Sequence, residues 1–442
     1  MLLRGGRVVT MDASRRVLDA DVLVEDGRIK TVGRSDRRTA GRSKPTIDCT
    51  GLVVLPGLVQ AHIHLCQTLF RGLADDLSLE AWLAQRIWPL EAAHTEASLH
   101  ASAMLGAAEL LLGGTTAILA METVRHTGAV FEALETIGIR ATAGKCLMDS
   151  PTSPVALRES TDRALTESVD LCGKWHGAAD GRLRYCFAPR FAPSCTGPLL
   201  RAVSDLAERS GAMIHTHAAE TPLELETVKR ETGHDEIAYL DSVGISGPRA
   251  ALAHCVWVDK DDIAVLARQR TNIVHCPSSN LKLGSGIAPI PEMLAAGCRV
   301  GIGADGAPCN NRLDAFSEMR LAALIQKPRL GPDALPAAQA LELATLGGAR
   351  ALGLEADIGS IEVGKRADLI VLDLDGPHAQ PDNADLMSRI VYSARAADVR
   401  HVIVDGRIVV RDGDLKTADL GAVRRQANTH ARALRAKALN RL

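Results

Sequence analysis

Through residues 56–361 short apolar runs alternate with longer stretches rich in Ala, Leu and Glu. The short runs predict strands at 58–64, 115–120, 139–147, 183–188, 212–217, 250–255, 271–275 and 299–304. The stretches between them predict helices at 97–112, 127–137, 157–175, 197–210, 222–231, 259–268 and 289–296. Strands joined by helical crossovers predict an α/β fold, a (β/α)8 TIM-like barrel. A doubly wound open sheet is the alternative. Polar residues recur at the C-terminal ends of many of these strands, where barrels place their active sites, and that favours the barrel.

The two chain ends carry a different pattern. Val22-Leu23-Val24-Glu25-Asp26-Gly27-Arg28-Ile29 is echoed by Val402-Ile403-Val404-Asp405-Gly406-Arg407-Ile408. Each is a β-branched run, an Asp-Gly and a second run, which is a strong hairpin signal. Asp368-Leu369-Ile370-Val371-Leu372 adds a further strand. Neither end can bury a core alone, so residues 1–55 and 362–417 are read as one composite β-sandwich. Residues 418–442 read as a basic, Ala-rich surface helix.

Composition narrows the class. At 442 residues the chain has room for one large barrel and a smaller partner. Aromatic residues are 3%, so Leu, Val, Ile and Ala must do most of the packing. The net charge of −2 disfavours nucleic acid and anionic membranes as partners. The start lacks signal-peptide features, and no stretch reaches the roughly 20 apolar residues of a membrane span. Ten scattered cysteines without a Cys-x-x-Cys read as reduced thiols of a cytoplasmic protein. Cys66 and Cys309 stand out because both lie near the candidate ligands.

Candidate chemistry starts at Ala61-His62-Ile63-His64. Side chains at i and i+2 of a strand face the same way, so two imidazoles there make half of a metal site. His217 in Ile214-His215-Thr216-His217 and Asp305 in Gly303-Ala304-Asp305-Gly306 complete a candidate set of His62, His64, His217 and Asp305. Imidazole and carboxylate with an open position for water describe a catalytic zinc site, although iron accepts the same ligands. A metal-bound water ionises near neutral pH, and Asp305 is placed to take its proton. Glu220 follows His217 by three residues and is placed to shuttle a proton to substrate. His254 is placed to hydrogen-bond the attacking oxygen. His215 is expected on the face opposite His217, in a structural role. His275 is a weaker candidate for substrate contact, and solvent exposure accounts for His94, His100, His126, His176 and His234.

Pro56-Gly57-Leu58 leading into His62-Ile63-His64, then His217-x-x-Glu220, His254 and Gly303-x-Asp305, resembles the amidohydrolase superfamily. The likeness spans essentially the whole chain and is nearer to the cytosine deaminase-like branch. It implies a metal-dependent barrel with a terminal β-sandwich and one Zn2+ per subunit, with Fe2+ as the alternative. Binuclear members carry a bridging lysine at the end of strand 4; here Leu183-Arg184-Tyr185-Cys186-Phe187-Ala188-Pro189-Arg190 has none. Lys145 ends strand 3 instead.

Within the branch the resemblances divide. Arg71 to Leu83, Trp88-Pro89-Leu90-Glu91 and Asn310 to Ala322 are similar to deaminases of S-adenosylhomocysteine, methylthioadenosine and 5′-deoxyadenosine. That likeness implies ribose contact by Glu91 and contact with the 5′ substituent near Arg158. Gln67 and Pro189-Arg190-Phe191 resemble guanine deaminase, implying base-edge contact by Gln67 and Arg190 and stacking by Phe191. A guanidinium offers donors only, so Arg190 would favour an acceptor on the base. The alternative is that Arg190 pairs with Glu91 or Asp149. Triazine amino- and chlorohydrolases share part of the pattern.

The implied reaction is hydrolytic deamination of an amino-purine with release of ammonia. A 5′-modified adenosine leads, then guanine, then an s-triazine; a metal-free scaffold of the same fold is the non-enzyme alternative. The resemblance also implies a homo-oligomer, a dimer or higher, in which Lys145 or Arg158 could reach a neighbouring subunit.

Overall fold

The computed structural model describes residues 1–34 and 45–439. Its centre is a ring of parallel strands: β1 (Leu58–His64), β2 (Thr115–Met121), β3 (Arg140–Gly144, continued by Cys146–Leu147) and β4 (Leu183–Pro189). The ring goes on through β5 (Met213–Ala218), β6 (Ala250–His254), β7 (Asn272–His275) and β8 (Arg299–Ile302, then Asp305–Gly306). β8 starts on β7, with Asn272 opposite Arg299. It ends on β1, with Asp305 opposite Ile63 and Gly306 opposite His64, and so closes the barrel. A Cβ at Gly303 would fall 2.6 Å from the His62 carbonyl oxygen, so this closure needs glycine there.

Every residue of β1 and β2 is buried, as expected of barrel strands covered on both faces. Amphipathic helices cover the outside. Glu96–Leu112 is capped by Thr95, and Gly197–Ser210 by Thr196. The helix expected over 157–175 begins at Thr161, because Ser160 caps it by accepting from the Arg163 N–H at 3.3 Å.

The two ends form one continuous nine-stranded sheet around its own small core, which includes Leu3, Val22, Ile29, Val54, Leu369 and Ile403. Both expected hairpins are present. Asp26 and Gly27 have φ of 48° and 73°, and Asp405 and Gly406 have 52° and 74°. These left-handed pairs are what a type I′ turn requires. The turns also meet, since a Cβ on Gly406 would lie 2.7 Å from the Gly27 Cα. The sheet strand Val53–Pro56 passes into β1 through Gly57 alone. Arg140 of β3 is buried against Asp368, with Nε–Oδ2 at 2.7 Å and Nη2–Oδ1 at 3.0 Å, and ties barrel to sheet.

The C-terminal helix is described over Leu420–Leu439, and residues 440–442 lie outside the described residues, as do 35–44 of the first sheet segment. It buries Val423, Ala427 and Leu434. Ala427 and Leu434 join an apolar cluster with Phe70, Trp82, Leu83 and Leu283. Two helical segments carry no clean period in the sequence. One runs from Leu79 to Ala92, with Pro89 in its last part; the other is Ala315–Leu330, with Pro328 near its end.

Candidate active site

The C-terminal ends of the barrel strands converge at one mouth. His62 and His64 come from β1, His217 from β5, His254 from β6 and Asp305 from β8. The His62 and His64 Nε2 atoms each lie 3.3 Å from Asp305 Oδ1, and His64 Nε2 lies 3.2 Å from His217 Nε2. All are buried or nearly so.

Each ring is turned by a bond to its other nitrogen. His64 Nδ1 meets the Met121 carbonyl at 2.8 Å, and His217 Nδ1 meets the Arg190 carbonyl at 2.6 Å. His62 Nδ1 meets His215 Nε2 at 2.7 Å, and His215 Nδ1 meets the Ala251 carbonyl at 3.0 Å. Such partners fix the tautomer and aim Nε2 at a common point. His62 Nε2 has no hydrogen-bond partner although it is buried. An orphaned buried nitrogen beside two imidazoles and a carboxylate is what an absent cation leaves behind. The donor set therefore fits a divalent metal.

His215 corrects the expectation for it. Residues i and i+2 share a strand face, so His215 faces the same way as His217 and reaches His62 from one layer below.

Electrostatics match the donor set. Burial pushes the His62, His64 and His217 pKa values down, that of His64 to about 4, so these rings are neutral. Burial raises Asp305, but the imidazoles of His62, His64 and His254 gathered around it outweigh that, and its carboxyl falls well below the usual range. Asp305 Oδ2 also accepts from Ser279 Oγ at 2.6 Å. Beside it His254 Nε2 lies 3.6 Å from Glu220 Oε2 and 4.0 Å from Asp305 Oδ2. Burial first, then Asp305 and Glu224, push Glu220 up to about 7. Burial lowers His254, but the charges of Glu220 and Asp305 raise it overall. A carboxyl poised near neutrality beside an imidazole can hold and pass on a proton.

These groups open into a cavity of about 320 Å³ also lined by Gln67, Arg190 and Phe191. Arg190 is spent on Glu91, with Nη1–Oε2 at 2.7 Å and Nη2–Oε1 at 3.2 Å. Gln67 Nε2 donates to the same Oε1 at 2.9 Å. Glu91 is thus held behind the lining residues rather than among them, while Gln67 Oε1 is buried without a partner. Arg158 is not brought to the cavity; it is exposed and donates to the Pro151 carbonyl at 2.8 Å.

Lys145 cannot reach a neighbour. It is fully buried, bonded to the Val124 carbonyl and to Glu159 Oε1 at 2.6 Å. His94 is not solvent-exposed as expected but buried, with Nε2 2.8 Å from the Cys66 carbonyl and Nδ1 2.9 Å from Ser98 Oγ. His275 is buried and does not line the cavity. All ten cysteines are free thiols, and burial drives Cys66 and Cys309 far above the usual thiol range, which makes them unreactive.

Several participants carry no sequence signal. Asn280 Oδ1 meets His254 Nδ1 at 2.8 Å, and Ser279 and Ser285 hold Asp305 and Glu220. Glu122, just after β2, accepts from the Cys66 N–H at 2.8 Å. The cavity wall is supplied by Leu79, Trp82, Leu83 and Trp88.

Residues 53–409 match the family model described as the amidohydrolase family. The chain belongs to the amidohydrolase family. Over 98% of its length this amidohydrolase is 41% identical to a 5-methylthioadenosine/S-adenosylhomocysteine deaminase of Desulforudis audaxviator, covering 99% of that protein. It is also 41% identical to a 5′-deoxyadenosine deaminase of Methanothermobacter thermautotrophicus, over 95% of each chain. The crystal structure of an adenosine deaminase from Xanthomonas campestris with bound zinc superposes on the amidohydrolase with a TM-score of 0.92, at 34% identity over 98% of both chains. Among the described residues no helix is long and apolar enough to cross a membrane.

Proposed function

We propose that this amidohydrolase is a zinc-dependent enzyme that removes the amino group of a 5′-modified adenosine by hydrolysis. The observation that carries the reading is the convergence of His62 and His64 Nε2 on Asp305, with His217 Nε2 against His64 and the Glu220–His254 pair beside them. Relatives named for methylthioadenosine, S-adenosylhomocysteine and 5′-deoxyadenosine support the substrate class. A zinc-bound relative supports the metal.

His62, His64, His217 and Asp305 would hold the ion, which when bound supplies Lewis acidity and an acidified water. Asp305 Oδ2 accepts a proton from the attacking water. Glu220, near neutrality in pKa, gives a proton to the ring nitrogen next to the amine-bearing carbon. His254, steered by Asn280, hydrogen-bonds the oxygen added to that carbon. Asp305 passes the proton it took to the amine, ammonia leaves, and the proton on the added oxygen returns to Glu220, so one water is consumed and the ring gains a carbonyl. Phe191 lies where it can cover a purine face.

A second reading, guanine deamination, rests on Gln67 Oε1, a buried acceptor without a partner that lines the cavity. It is weakened by the engagement of Arg190 with Glu91. Ammonia release by zinc-loaded protein on 5′-deoxyadenosine, methylthioadenosine, guanine and a chlorotriazine separates these. Turnover of the adenosines is expected; guanine or the triazine as the best substrate overturns the assignment.

A further inference from the structure

Glu220 sits on a turn that two further carboxyls hold in place. The turn follows β5 and leads into the helix Pro222–Thr232, and Ala219 within it has a φ of 51°. The Ala219 carbonyl accepts from the Val256 and Trp257 N–H groups, both at 2.9 Å. The two successive N–H groups of the turn go to glutamates. Ala219 donates to Glu236 Oε2 at 3.0 Å, and Glu220 donates to Glu224 Oε2 at 2.8 Å. Glu224 stands in the first turn of that helix, and Glu236 opens the next one, Glu236–Ser242. A left-handed residue other than glycine persists only where its surroundings hold it, and these bonds do so.

The two glutamates also meet each other. Both are buried, the Oε1 atom of each has no N–H donor, and the side chains lie within hydrogen-bonding reach of one another. Among the described residues no lysine or arginine pairs with either one. The titratable groups around them are Glu220, His254, Cys255 and Asp262. Two buried carboxylates without a cation cannot both stay charged at such a distance, and one proton between them satisfies both orphaned oxygens. Burial pushes both carboxyls up, and the charge of Glu224 drives Glu236 well above the usual range. His254 favours the charge on Glu224, and Asp262 favours the proton on Glu236.

We propose that Glu224 and Glu236 share one proton and act as a single positioning unit for Glu220, Glu236 Oε1 donating to Glu224 Oε1 while the two Oε2 atoms fix the turn. Glu220 remains the group that meets substrate; the pair sets where its carboxyl points. This rests on the deaminase reading and adds the device that holds its proton donor.

The test uses the full-length, zinc-loaded protein with methylthioadenosine as substrate. Glu236→Gln keeps both bonds, since its amide donates to Glu224 and accepts from Ala219, whereas Glu236→Ala loses both. The double variant Glu224→Gln/Glu236→Gln sets two amide N–H groups against each other. We expect Glu236→Ala and the double variant to lower kcat about 10–100-fold, the cost of a misplaced group, with KM changed less. Glu236→Gln alone should keep kcat at the order of the natural protein and remove one protonated-carboxyl stretch from the infrared spectrum at neutral pH. A Glu236→Gln variant as slow as Glu236→Ala, a double variant as fast as the single one, or an unchanged carboxyl band each overturns the proposal. Should Glu236→Ala fail to fold, the single and double glutamine variants still decide. If the natural protein releases no ammonia, the deaminase reading falls, and the infrared band alone upholds or removes the shared proton.

Discussion

Asp305 stands where strand closure, the imidazole cluster and the Glu220–His254 pair meet. Its Oδ1 faces His62 and His64 and its Oδ2 faces Ser279 and His254. Asp305→Asn keeps the shape but removes the charge and the basic oxygen. We expect kcat to fall on the order of 10²–10⁴-fold, the usual contribution of a positioned acid or base. Steady-state kinetics with metal content measured in parallel checks this; retained turnover would sink the mechanism. Glu122 gives a prediction of a different kind. Burial pushes its carboxyl up to about 8. The folded state therefore binds a proton that the unfolded chain, at an ordinary value near 4.5, has released. Stability from this group is present at low pH and is lost as pH rises through about 8, by at most about 1.4 kcal/mol per pH unit. Glu122→Gln should be less pH-sensitive than the natural protein in urea titrations between pH 5 and 8. Identical pH slopes would refute the assignment. At this scale the candidate ligands His62, His64, His217 and Asp305 could be picked out from sequence because strand alternation and strand ends constrain them. Asn280 and Glu122 could not, because tertiary packing alone brings them to His254 and Cys66. The pairing of Arg190 with Glu91, 99 residues apart, could be framed only as an alternative.

Among the elements, the barrel strands were legible because each is a short run buried on both sides, with the polar switch at its C-terminal end. The Leu79–Ala92 segment was not. Its apolar residues face both the cavity and the C-terminal helix, which blurs any single period. The two Asp-Gly hairpins were legible from the dipeptide, but their mutual contact was not. That contact is testable. Gly406 combines a φ of 74° with no room for a Cβ against Gly27, so Gly406→Ala should destabilise by about 1–3 kcal/mol. Chemical denaturation measures it, and a change within a few tenths would mean the turns can separate freely.

Across the whole molecule, barrel and end sheet act as one body through the single-residue passage at Gly57 and the buried Arg140–Asp368 pair. The ring is completed by β8 on β1, where two residue pairs, Asp305–Ile63 and Gly306–His64, meet. A cation held by His62, His64, His217 and Asp305 would bridge β1, β5 and β8 across it. Stripping metal with a chelator should therefore lower the Tm, and re-addition should restore it. At 100-fold saturation the linkage is worth about 2.7 kcal/mol. A melting curve indifferent to chelation, with metal loss verified, would argue that the ring closes without help.

The C-terminal helix sets a limit on how this chain can be handled or rearranged. Ala427 and Leu434 share one apolar cluster with Trp82 and Leu83, which also line the cavity. The helix Leu420–Leu439 thus backs a cavity wall contributed by Trp82 and Leu83, far from it in sequence. Clipping or recombining the tail is then an edit to the binding pocket, felt in substrate selection before it is felt in folding.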